Sequence, residues 1–270
     1  MLWRLYIFIN QLEPLIIEGA LMSYQLTGDL AVNSEVGVLL PTYREAQNIE
    51  KVIAEIENLP LHTSIMVIDD SSPDKTAEVV KHLQKKYNNI LLCVRPQKNG
   101  LGTAITEGFK IFLSLKNPPK FIVTMDADYS HDPKAIPQLL SNMQSGYGIV
   151  IGSRYCRGGK TAGWPYTRRV LSQTANMMAK PVVGLKLHDC TSGFRCYSTA
   201  FLKVAVDSLR SQTYEIQIET VKQALLREFG IKEIPILFVN RKRGKSKLTV
   251  AVIQNYTSYI FKAVAHGRKN

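Results

Sequence analysis

The chain has 270 residues, of which 45% are hydrophobic and 21% are charged. This composition is typical of a folded globular protein and excludes a mainly disordered chain, and the length suits one large α/β domain or two small ones. The four cysteines form no C-x-x-C pair and no disulfide framework, so a reducing compartment is expected. A zinc site at His188, Cys190 and Cys196 would lack a fourth ligand at a finger-like spacing.

The net charge of +12 is concentrated near the C-terminus. No acidic residue follows Glu233, whereas eight basic residues do: Arg241, Lys242, Arg243, Lys245, Lys247, Lys262, Arg268 and Lys269. Such a segment suits nucleic acid, anionic lipid headgroups or a phosphorylated substrate, and composition does not choose among them. No helix-turn-helix, zinc or RNA-binding signature accompanies the basic residues, so nucleic acid is not an expected partner.

The N-terminal segment contains two short apolar runs, neither of which reaches the roughly 20 apolar residues of a membrane-spanning helix. Arg4 inside the first run and the lack of a clean small-residue cleavage site argue against a signal peptide. We therefore predict that residues 1–33 form an extension that is loosely ordered or associated with a membrane. An alternative is that the protein begins at Met22.

From residue 36 onward, apolar runs alternate with helical patterns. Strands are predicted at 36–40, 64–68, 90–94 and 121–125, and helices at 48–59, from an N-cap at Asp74, and at 101–115. The chain then continues with a strand at 148–155, a helix from about Thr167, a turn into a short strand at 189–198, a helix at 211–230 closed by Gly230, and a last strand at 231–239. Because the strands are apolar throughout, the pattern predicts an α/β fold with a mostly parallel sheet covered by helices on both faces.

Polar segments follow each of the first four strands, at 41–48, 69–74, 95–104 and 126–132. In parallel sheets ligands bind beyond the carboxyl ends of the strands, so these segments predict a pocket at one edge of the sheet. No G-x-G-x-x-G follows the first strand and no G-x-x-x-x-G-K-[ST] occurs, which disfavours dinucleotide dehydrogenases and P-loop NTPases.

The segment after the fourth strand carries Asp126, Asp128 and Asp132. Two carboxylates one residue apart at a strand end can bind one hard divalent cation through their oxygens. A turn is the alternative explanation, because Asp favours turns and Asp-Pro is common in them. The short motif alone does not decide between the two.

Eight motifs occur in order between residues 36 and 248: PTYREAQN (41–48), VIDDSSPD (67–74), NGLGTA (99–104), DAD (126–128), GSRY (152–155), TSGFR (191–195), QIE (217–219) and RKRGKSK (241–247). This set resembles the inverting family-2 glycosyltransferases, and within them the dolichyl-phosphate mannosyltransferases. The resemblance implies the GT-A glycosyltransferase fold, with a Rossmann-like, mostly parallel sheet flanked by helices. It also implies metal-dependent, inverting transfer of mannose from GDP-mannose to dolichyl or polyprenyl phosphate.

The resemblance also implies the donor site. Nucleotide-sugar binding is expected of Pro41, Tyr43, Glu45, Asp70, Gly102, Asp126, Arg241, Ser246 and Lys247. Asp126 and Asp128 would bind a divalent cation, Mg²⁺ or Mn²⁺, that bridges the donor diphosphate, and Asp128 would be catalytic. Ser130 stands where the family often carries Gln, so its contact with the ion stays open. A helix-start turn is the alternative for Tyr43 and Glu45, and a turn cap is the alternative for Asp69.

On the acceptor side, Arg154, Arg168 and Ser172 match the family positions that hold the lipid phosphate, and they are expected to be catalytic. A phosphate monoester is largely ionised near neutral pH, since its second pKa is about 6, so no general base is required. Attack opposite the nucleotide would give a β-linked product. Glu215 and Glu219, one helical turn apart, would orient sugar hydroxyls or face solvent.

The predicted organisation is the extension 1–33, a catalytic domain 34–248 and a basic amphipathic helix or tail 249–270. An apolar helical face is formed by Val252, Tyr256, Tyr259, Ile260 and Val264. This face suits an interfacial helix on anionic lipid, with packing against the domain as the alternative. A membrane surface is therefore an expected partner, a small membrane subunit is another route to the lipid, and the expected location is the cytoplasmic face of a membrane, as a peripheral protein.

Other functions remain open on the sequence. A polyprenyl-phosphate glucosyltransferase using UDP-glucose, or another family-2 sugar transferase, is the first alternative. A non-catalytic nucleotide- or membrane-binding module is an alternative of another class.

Overall fold

The computed structural model describes residues 24–31, 33–183, 187–241 and 250–267. The strands are β1 (Gln25–Gly28), β2 (Val36–Thr42), β3 (Thr63–Asp69), β4 (Ile90–Val94), β5 (Phe121–Thr124), β6 (Tyr147–Ser153), β7 (Lys160–Ala162), β8 (Arg195–Ser198), β9 (Gly230–Pro235) and β10 (Leu237–Val239). The α-helices are α1 (Ile49–Glu57), α2 (Thr76–Leu83), α3 (Leu101–Leu113), α4 (Ile136–Ser141), α5 (Tyr166–Val183), α6 (Thr199–Ala205), α7 (Ile216–Leu226) and α8 (Val250–Gly267). Short 3₁₀ turns lie at Pro133–Ala135 and Val206–Ser208.

The main sheet has eight strands in the order β1-β4-β3-β2-β5-β8-β6-β9. The strands β4, β3, β2 and β5 are parallel, β9 is parallel to β6, and the antiparallel pairs are those made by β1 and β8. A second, two-stranded sheet pairs β7 with β10. The prediction of a mostly parallel α/β sheet is confirmed.

Apolar side chains cover both faces of the sheet. One cluster joins α3, α5, α6, α7 and α8 to one face, and the other joins α1, α2 and α4 to the opposite face. All seven residues of β3 are buried, which explains the continuous apolar run in its sequence. Each fully buried Ile, Val or Leu contributes about 1.5–3 kcal/mol of transfer free energy, so these clusters fix the sheet on which the polar loops stand.

Three element boundaries differ from the sequence prediction. Lys75, in a left-handed conformation, is the N-cap of α2, and Asp74 instead accepts a hydrogen bond from the backbone of Thr76. Gly230 does not close a helix: α7 ends at Leu226, and Gly230 begins β9 opposite Tyr147. A Cβ atom at Gly230 would lie 2.7 Å from the Tyr147 ring, so close strand packing explains this glycine. The predicted last strand is divided into β9 and β10.

Part of the predicted N-terminal extension belongs to the sheet. Strand β1 pairs with β4 along the edge of the sheet, with Gln25 opposite Val94 and Gly28 opposite Leu91. The extension prediction for residues 1–23 falls outside the described residues.

Helix α8 packs on the domain through part of its apolar face. Tyr256 and Ile260 are buried in the first apolar cluster, and the Tyr256 hydroxyl donates a hydrogen bond to the carbonyl of Ala175 on α5 at 2.8 Å. For Tyr256 and Ile260, the structure therefore shows packing against the domain, the alternative to an interfacial helix. None of the helices in the described ranges is long and apolar enough to cross a membrane.

Candidate active site

A cleft lies at the edge of the sheet where β2, β3 and β5 end. Its lining consists of Pro41, Thr42, Tyr43, Glu45, Asp70, Lys98, Gly100, Leu101, Ala104, Asp126, Ala127, Asp128, Thr213, Tyr214 and Arg241. Seven of the residues predicted to bind the nucleotide sugar or the cation are in this set. The parallel register of the three strands brings their following loops together, as the sequence pattern predicted.

Asp128 is a buried carboxylate held from two sides. Its Oδ1 atom accepts hydrogen bonds from the backbone N–H of Ser130, at 3.0 Å, and from the Ser130 hydroxyl. Its Oδ2 atom lies 3.0 Å from Nη2 of Arg241. Burial opposes ionisation, but the Arg241 charge and the Ser130 hydrogen bonds outweigh it, so the pKa of Asp128 lies below its ordinary value. Ser130 therefore orients Asp128.

Asp126 has a more open carboxylate, with 43% of its side chain exposed. Its backbone N–H donates to Nδ1 of His131 at 3.2 Å, and the His131 ring is stacked on Phe194 and packed edge-on against Phe238. Burial lowers the pKa of His131, which favours the neutral ring that accepts this hydrogen bond. The ring thus fixes the backbone at the end of β5 and leaves the Asp126 carboxylate facing the cleft.

The two aspartates fit a divalent cation of the Mg²⁺ or Mn²⁺ type. Such ions take hard oxygen ligands and are often held by one or two carboxylates together with substrate phosphates and water. Among the described residues, no group of three or more His, Cys, Asp or Glu side chains forms a complete metal cage. Two carboxylates that line one open cleft suit a site that a phosphorylated ligand would complete.

On the β3 side of the cleft, Asp70 is held by a residue that the sequence analysis did not single out. Arg95 is fully buried directly after β4, and its Nε lies 2.5 Å from Oδ1 of Asp70. Burial raises the pKa of Asp70, and the Arg95 charge opposes that rise. The sequence feature that could have pointed to Arg95 is its position immediately after an apolar strand.

Tyr43 and Glu45, which follow β2, line the cleft together with Asp70. Lys98 lies over the Tyr43 ring, 4.2 Å from its centroid, and Arg44 lies over the same ring at 5.5 Å. Glu45 is buried and accepts a hydrogen bond from the Asn48 side chain at 2.8 Å.

Asp69 caps a turn, the alternative that the sequence analysis had left open. It accepts hydrogen bonds from the hydroxyl of Thr42, at 2.8 Å, and from the backbone of Ser72.

Gly102 lies beside the cleft at the start of α3. Its N–H donates to the carbonyl of Gln212 at 2.9 Å, and a Cβ atom there would lie 2.4 Å from the carbonyl oxygen of Ser211. Glycine thus allows the loop before α7 to contact α3 directly.

The three predicted acceptor residues lie directly after β6 and on α5, in different environments. Arg154 is buried in a bidentate pair with Asp189, with Nε and Nη2 each 2.7 Å from a carboxylate oxygen. Arg168 lies over the Trp164 ring, 4.5 Å from its centroid, and donates to Asn240 at 2.6 Å. Burial, and then the charge of Arg241, lowers the pKa of Arg168.

The Asp189 carboxylate also accepts from the backbone N–H of Arg154. Arg154 further donates to the hydroxyl of Thr191 at 2.7 Å, and Ser172 accepts a hydrogen bond from the Tyr155 hydroxyl at 2.8 Å. Arg154 is therefore a rigid part of the wall, whereas Arg168 is more accessible.

Comparison with known proteins identifies the family. The profile described as "Glycosyl transferase family 2" matches residues 37–206. The chain belongs to glycosyl transferase family 2. Polyprenol monophosphomannose synthase of Mycolicibacterium smegmatis is 35% identical over 214 residues, which cover 78% of this chain and 80% of that protein. Dolichol-phosphate mannosyltransferase of Pyrococcus furiosus is 33% identical over 240 residues, covering 84% of this chain and 63% of that protein, so the chain spans less than two thirds of this relative.

Solved structures confirm the GT-A fold of this family 2 chain. Glucosyl-3-phosphoglycerate synthase from Mycobacterium tuberculosis, in complex with Mn²⁺, UDP and glucosyl-3-phosphoglycerate, has a TM-score of 0.61 at 17% identity and covers 86% of this chain and 79% of its own. A mannosyltransferase from Pyrobaculum calidifontis, in complex with GDP-Man and Mn²⁺, has a TM-score of 0.53 at 15% identity, covering 90% and 76%.

Glu215 and Glu219 occupy neither of the two environments expected for them. Both are buried at the start of α7 of the family 2 fold. Glu215 accepts hydrogen bonds from the backbone N–H groups of Gln212 and Thr213, and Glu219 accepts from those of Arg210 and Ser211. They therefore neither face solvent nor lie free to orient a sugar. They fix the loop that precedes α7.

This loop brings Tyr214 into the cleft, a residue that the sequence analysis missed. Tyr214 lines the cleft beside Thr213 and Arg241. Burial, reinforced by the charge of Asp126, raises the pKa of Tyr214 to about 12, so its hydroxyl stays protonated near neutral pH. The predicted donor residues Ser246 and Lys247 fall outside the described residues.

Proposed function

We propose that the protein transfers mannose from GDP-mannose to dolichyl phosphate or a related polyprenyl phosphate. The observation that carries the proposal is the pair of carboxylates, Asp126 and Asp128, in a cleft that Arg241 also lines, with Arg168 near enough for its pKa to respond to all three charges. An anionic donor and an anionic acceptor need cationic groups at their meeting point. The names of the two family 2 relatives, both lipid-phosphate mannose enzymes, support the choice of sugar and acceptor.

The donor would lie along the cleft with its base near Asp70 and its diphosphate near the aspartates. Pro41 in β2, and Tyr43 and Glu45 just after it, line the cleft together with Asp70, which suits contacts to base and ribose. Asp126 and Asp128 would hold Mg²⁺ or Mn²⁺, which supplies positive charge where the leaving diphosphate develops negative charge. Arg241 would add a second cationic group there, and Ser246 and Lys247 remain proposed donor residues by resemblance alone.

The acceptor phosphate would bind near Arg168 and Ser172 at the start of α5. A guanidinium fork suits phosphate because it can donate two parallel hydrogen bonds. Arg154 would shape this wall through its pair with Asp189 and add positive charge to it. The ionised acceptor oxygen attacks the anomeric carbon as the bond to the nucleotide breaks, and the electron pair leaves on the diphosphate. Attack from the opposite face inverts the anomeric centre and gives a β-linked product.

The lipid acceptor implies an approach to a membrane surface. Large apolar side chains on α5 are exposed, including Tyr166 at 78% and Met177 at 65%, and Phe261 on α8 is exposed at 71%. We infer peripheral association with a membrane through this side of the catalytic domain, which would comprise residues 34–248. Recruitment by a small membrane subunit would use the same side.

A transfer assay tests the proposal. Purified protein would be incubated with Mn²⁺ or Mg²⁺, dolichyl phosphate in detergent, and labelled GDP-mannose or UDP-glucose in parallel. We expect lipid-extractable label from GDP-mannose, lost with EDTA and reduced at least about 100-fold by Asp128→Asn. Asp132→Asn is the matched control, since Asp132 is exposed and caps the following 3₁₀ turn. Transfer from UDP-glucose alone would favour glucosyl transfer, and no transfer from either donor would support a non-catalytic module.

A further inference from the structure

The second strand of the small sheet ends beside the proposed cation site. Strand β10 pairs in parallel with β7 and ends at Val239, and Asn240 and Arg241 follow directly. The N–H of Val239 donates to the carbonyl of Ser130 at 3.1 Å, and Arg241 lies 3.0 Å from Asp128. Asn240 lies between these two contacts and outside the family match, which ends at residue 206.

The Asn240 side chain holds Arg168. Its Oδ1 atom accepts a hydrogen bond from Nη1 of Arg168 at 2.6 Å, and its Nδ2 atom donates to the carbonyl of Gly163 at 3.0 Å. Because a guanidinium only donates and a carbonyl only accepts, these two partners fix the orientation of the amide. The backbone N–H of Asn240 also donates to the carbonyl of Ala162 at 2.8 Å. Asn240 is therefore anchored at the end of β7 and presents its oxygen to Arg168.

Arg168 is held in place by groups that carry no charge. Its guanidinium lies over the Trp164 ring, and within the described ranges Asn240 provides its one hydrogen-bond acceptor. A neutral amide fixes the position of the guanidinium without neutralising it, and it occupies one of the five N–H donors. Arg154, by contrast, is paired in bidentate fashion with Asp189. The charge and the remaining donors of Arg168 therefore stay available for the phosphate of an anionic acceptor.

We propose that Asn240 is a positioning residue for the acceptor: it holds the Arg168 guanidinium in the orientation in which it binds the acceptor phosphate. The inference rests on the proposed function, because it requires that Arg168 bind that phosphate. A guanidinium donates two parallel hydrogen bonds to a phosphate only when its plane faces the phosphate oxygens. Loss of the holding contact should therefore weaken acceptor binding and leave donor binding intact.

Asn240→Leu is the variant that isolates this contact. Leucine is close to asparagine in size, but its side chain neither accepts nor donates a hydrogen bond. The backbone hydrogen bond from residue 240 to Ala162 is retained, so Arg241 should keep its place beside Asp128. The Kd of GDP with Mn²⁺ is therefore expected to stay at the wild-type value. The Kd of the acceptor should rise about three- to ten-fold, the size typical of one lost hydrogen bond.

Two further variants separate positioning of Arg168 from general damage to the strand. Leu237→Asn exchanges the same two residue types in reverse at an exposed position of β10, and it should bind donor and acceptor like the wild type. Arg168→Met removes the group that Asn240 holds. If Asn240 acts through Arg168, adding Asn240→Leu to Arg168→Met should weaken acceptor binding no further, whereas the effects of independent sites would add.

The test is calorimetric titration of the full chain and these variants with a short, water-soluble polyprenyl phosphate in the presence of Mn²⁺ and GDP. Separate titrations with GDP and Mn²⁺ measure the donor side. Weaker acceptor binding by Asn240→Leu, with wild-type GDP binding and no further loss in the Arg168→Met background, supports the role of Asn240. Wild-type acceptor affinity in Asn240→Leu, an equal loss of GDP affinity, or an additive loss with Arg168→Met overturns the role and leaves the proposed function standing. A wild-type chain that binds no polyprenyl phosphate overturns the proposed function and this role with it.

Discussion

The Arg241 guanidinium lies 3.0 Å from the Asp128 carboxylate, so one of the two proposed cation ligands is already paired with a positive charge. A divalent ion that binds Asp128 must compete with this pair. Arg241→Gln should therefore tighten Mn²⁺ binding to the nucleotide-free protein about three- to ten-fold, because the competing charge is removed. Free Mn²⁺ measured by electron paramagnetic resonance in a titration checks this.

The same substitution should weaken GDP binding in the presence of saturating Mn²⁺, since Arg241 would otherwise contact the diphosphate. Arg157→Gln is the control, because Arg157 lies on an exposed turn before β7. Weaker Mn²⁺ binding to nucleotide-free Arg241→Gln would contradict the competition.

Glu219 holds backbone N–H groups of the loop that carries Tyr214 into the cleft. Glu219→Gln keeps the size of the side chain but removes the charge that these donors share, at a cost of about 1–3 kcal/mol of folding stability. Because the loop also contacts Gly102, the KM for GDP-mannose should rise several-fold. Thermal unfolding and steady-state kinetics measure the two effects.

Glu228→Gln, on the exposed side just beyond the end of α7, is the control for Glu219→Gln. A Glu219→Gln protein with lowered stability and an unchanged KM would mean that the loop does not position the donor.

Asp189 and Arg154 form a buried ion pair, so removing one partner should lower the folding stability more than removing an exposed charge would. Asp189→Asn leaves Arg154 buried without its counter-charge, which costs about 3–5 kcal/mol of unfolding free energy at pH 7. Denaturant unfolding of the variant and the wild type measures the difference. A loss below about 1 kcal/mol would mean that the wall around Arg154 relaxes and admits water.

The same pair predicts a pH dependence of stability. The pKa of Asp189 in the folded protein is below its ordinary value, because Arg154 outweighs the effect of burial. The stabilisation is therefore complete above the unfolded-state pKa of about 3.9 and is lost as the pH falls through the lower, folded-state value. The stability difference between the wild type and Asp189→Asn should be constant from pH 7 to about pH 5 and shrink below that. A stability difference that grows as the pH falls would mean that folding raises the pKa of Asp189 instead of lowering it.

The sequence located the cleft because parallel strands end at one edge, and that rule depends only on the order of strands and helices. Asp126, Asp128 and Asp70 follow apolar strands, so their position could be predicted before their contacts were known. Contacts between residues far apart in the chain could not be predicted in this way. Asp189 pairs with Arg154 across 35 positions and Arg95 with Asp70 across 25, and no local pattern marks either pair.

Local sequence patterns also gave wrong predictions where the same pattern is compatible with two different local structures. Glu215 and Glu219 have the spacing of a surface helix pair, but their carboxylates cap the backbone of the preceding loop instead. Gly230 follows a helix, as a C-cap would, yet its small size is required by the Tyr147 ring of the neighbouring strand. In both cases tertiary packing, which the sequence does not display, decides the role of the residue.

Helix α5 connects the proposed acceptor site to an exposed apolar surface. Its exposed residues Tyr166, Val170 and Met177 are spaced by four and seven positions, which places them on one stripe, and Arg168 near the start of the same helix lines the proposed phosphate site. If the lipid acceptor is reached along this stripe, replacing Tyr166 and Met177 together by Ser should reduce binding to vesicles that contain anionic lipid. Two buried large side chains contribute about 3–6 kcal/mol, so the partition coefficient should fall at least ten-fold.

Vesicle co-sedimentation measures this partition, and Val204→Ser is the control because Val204 is an exposed apolar residue on another helix, α6. Transfer to dolichyl phosphate in vesicles should fall in parallel with binding. Transfer to a short, water-soluble polyprenyl phosphate should be retained, because the variant leaves Arg168 and the aspartates in place. Unchanged vesicle binding would mean that the protein meets the membrane through another surface, and loss of activity toward the soluble acceptor would mean that the stripe is part of the catalytic site itself.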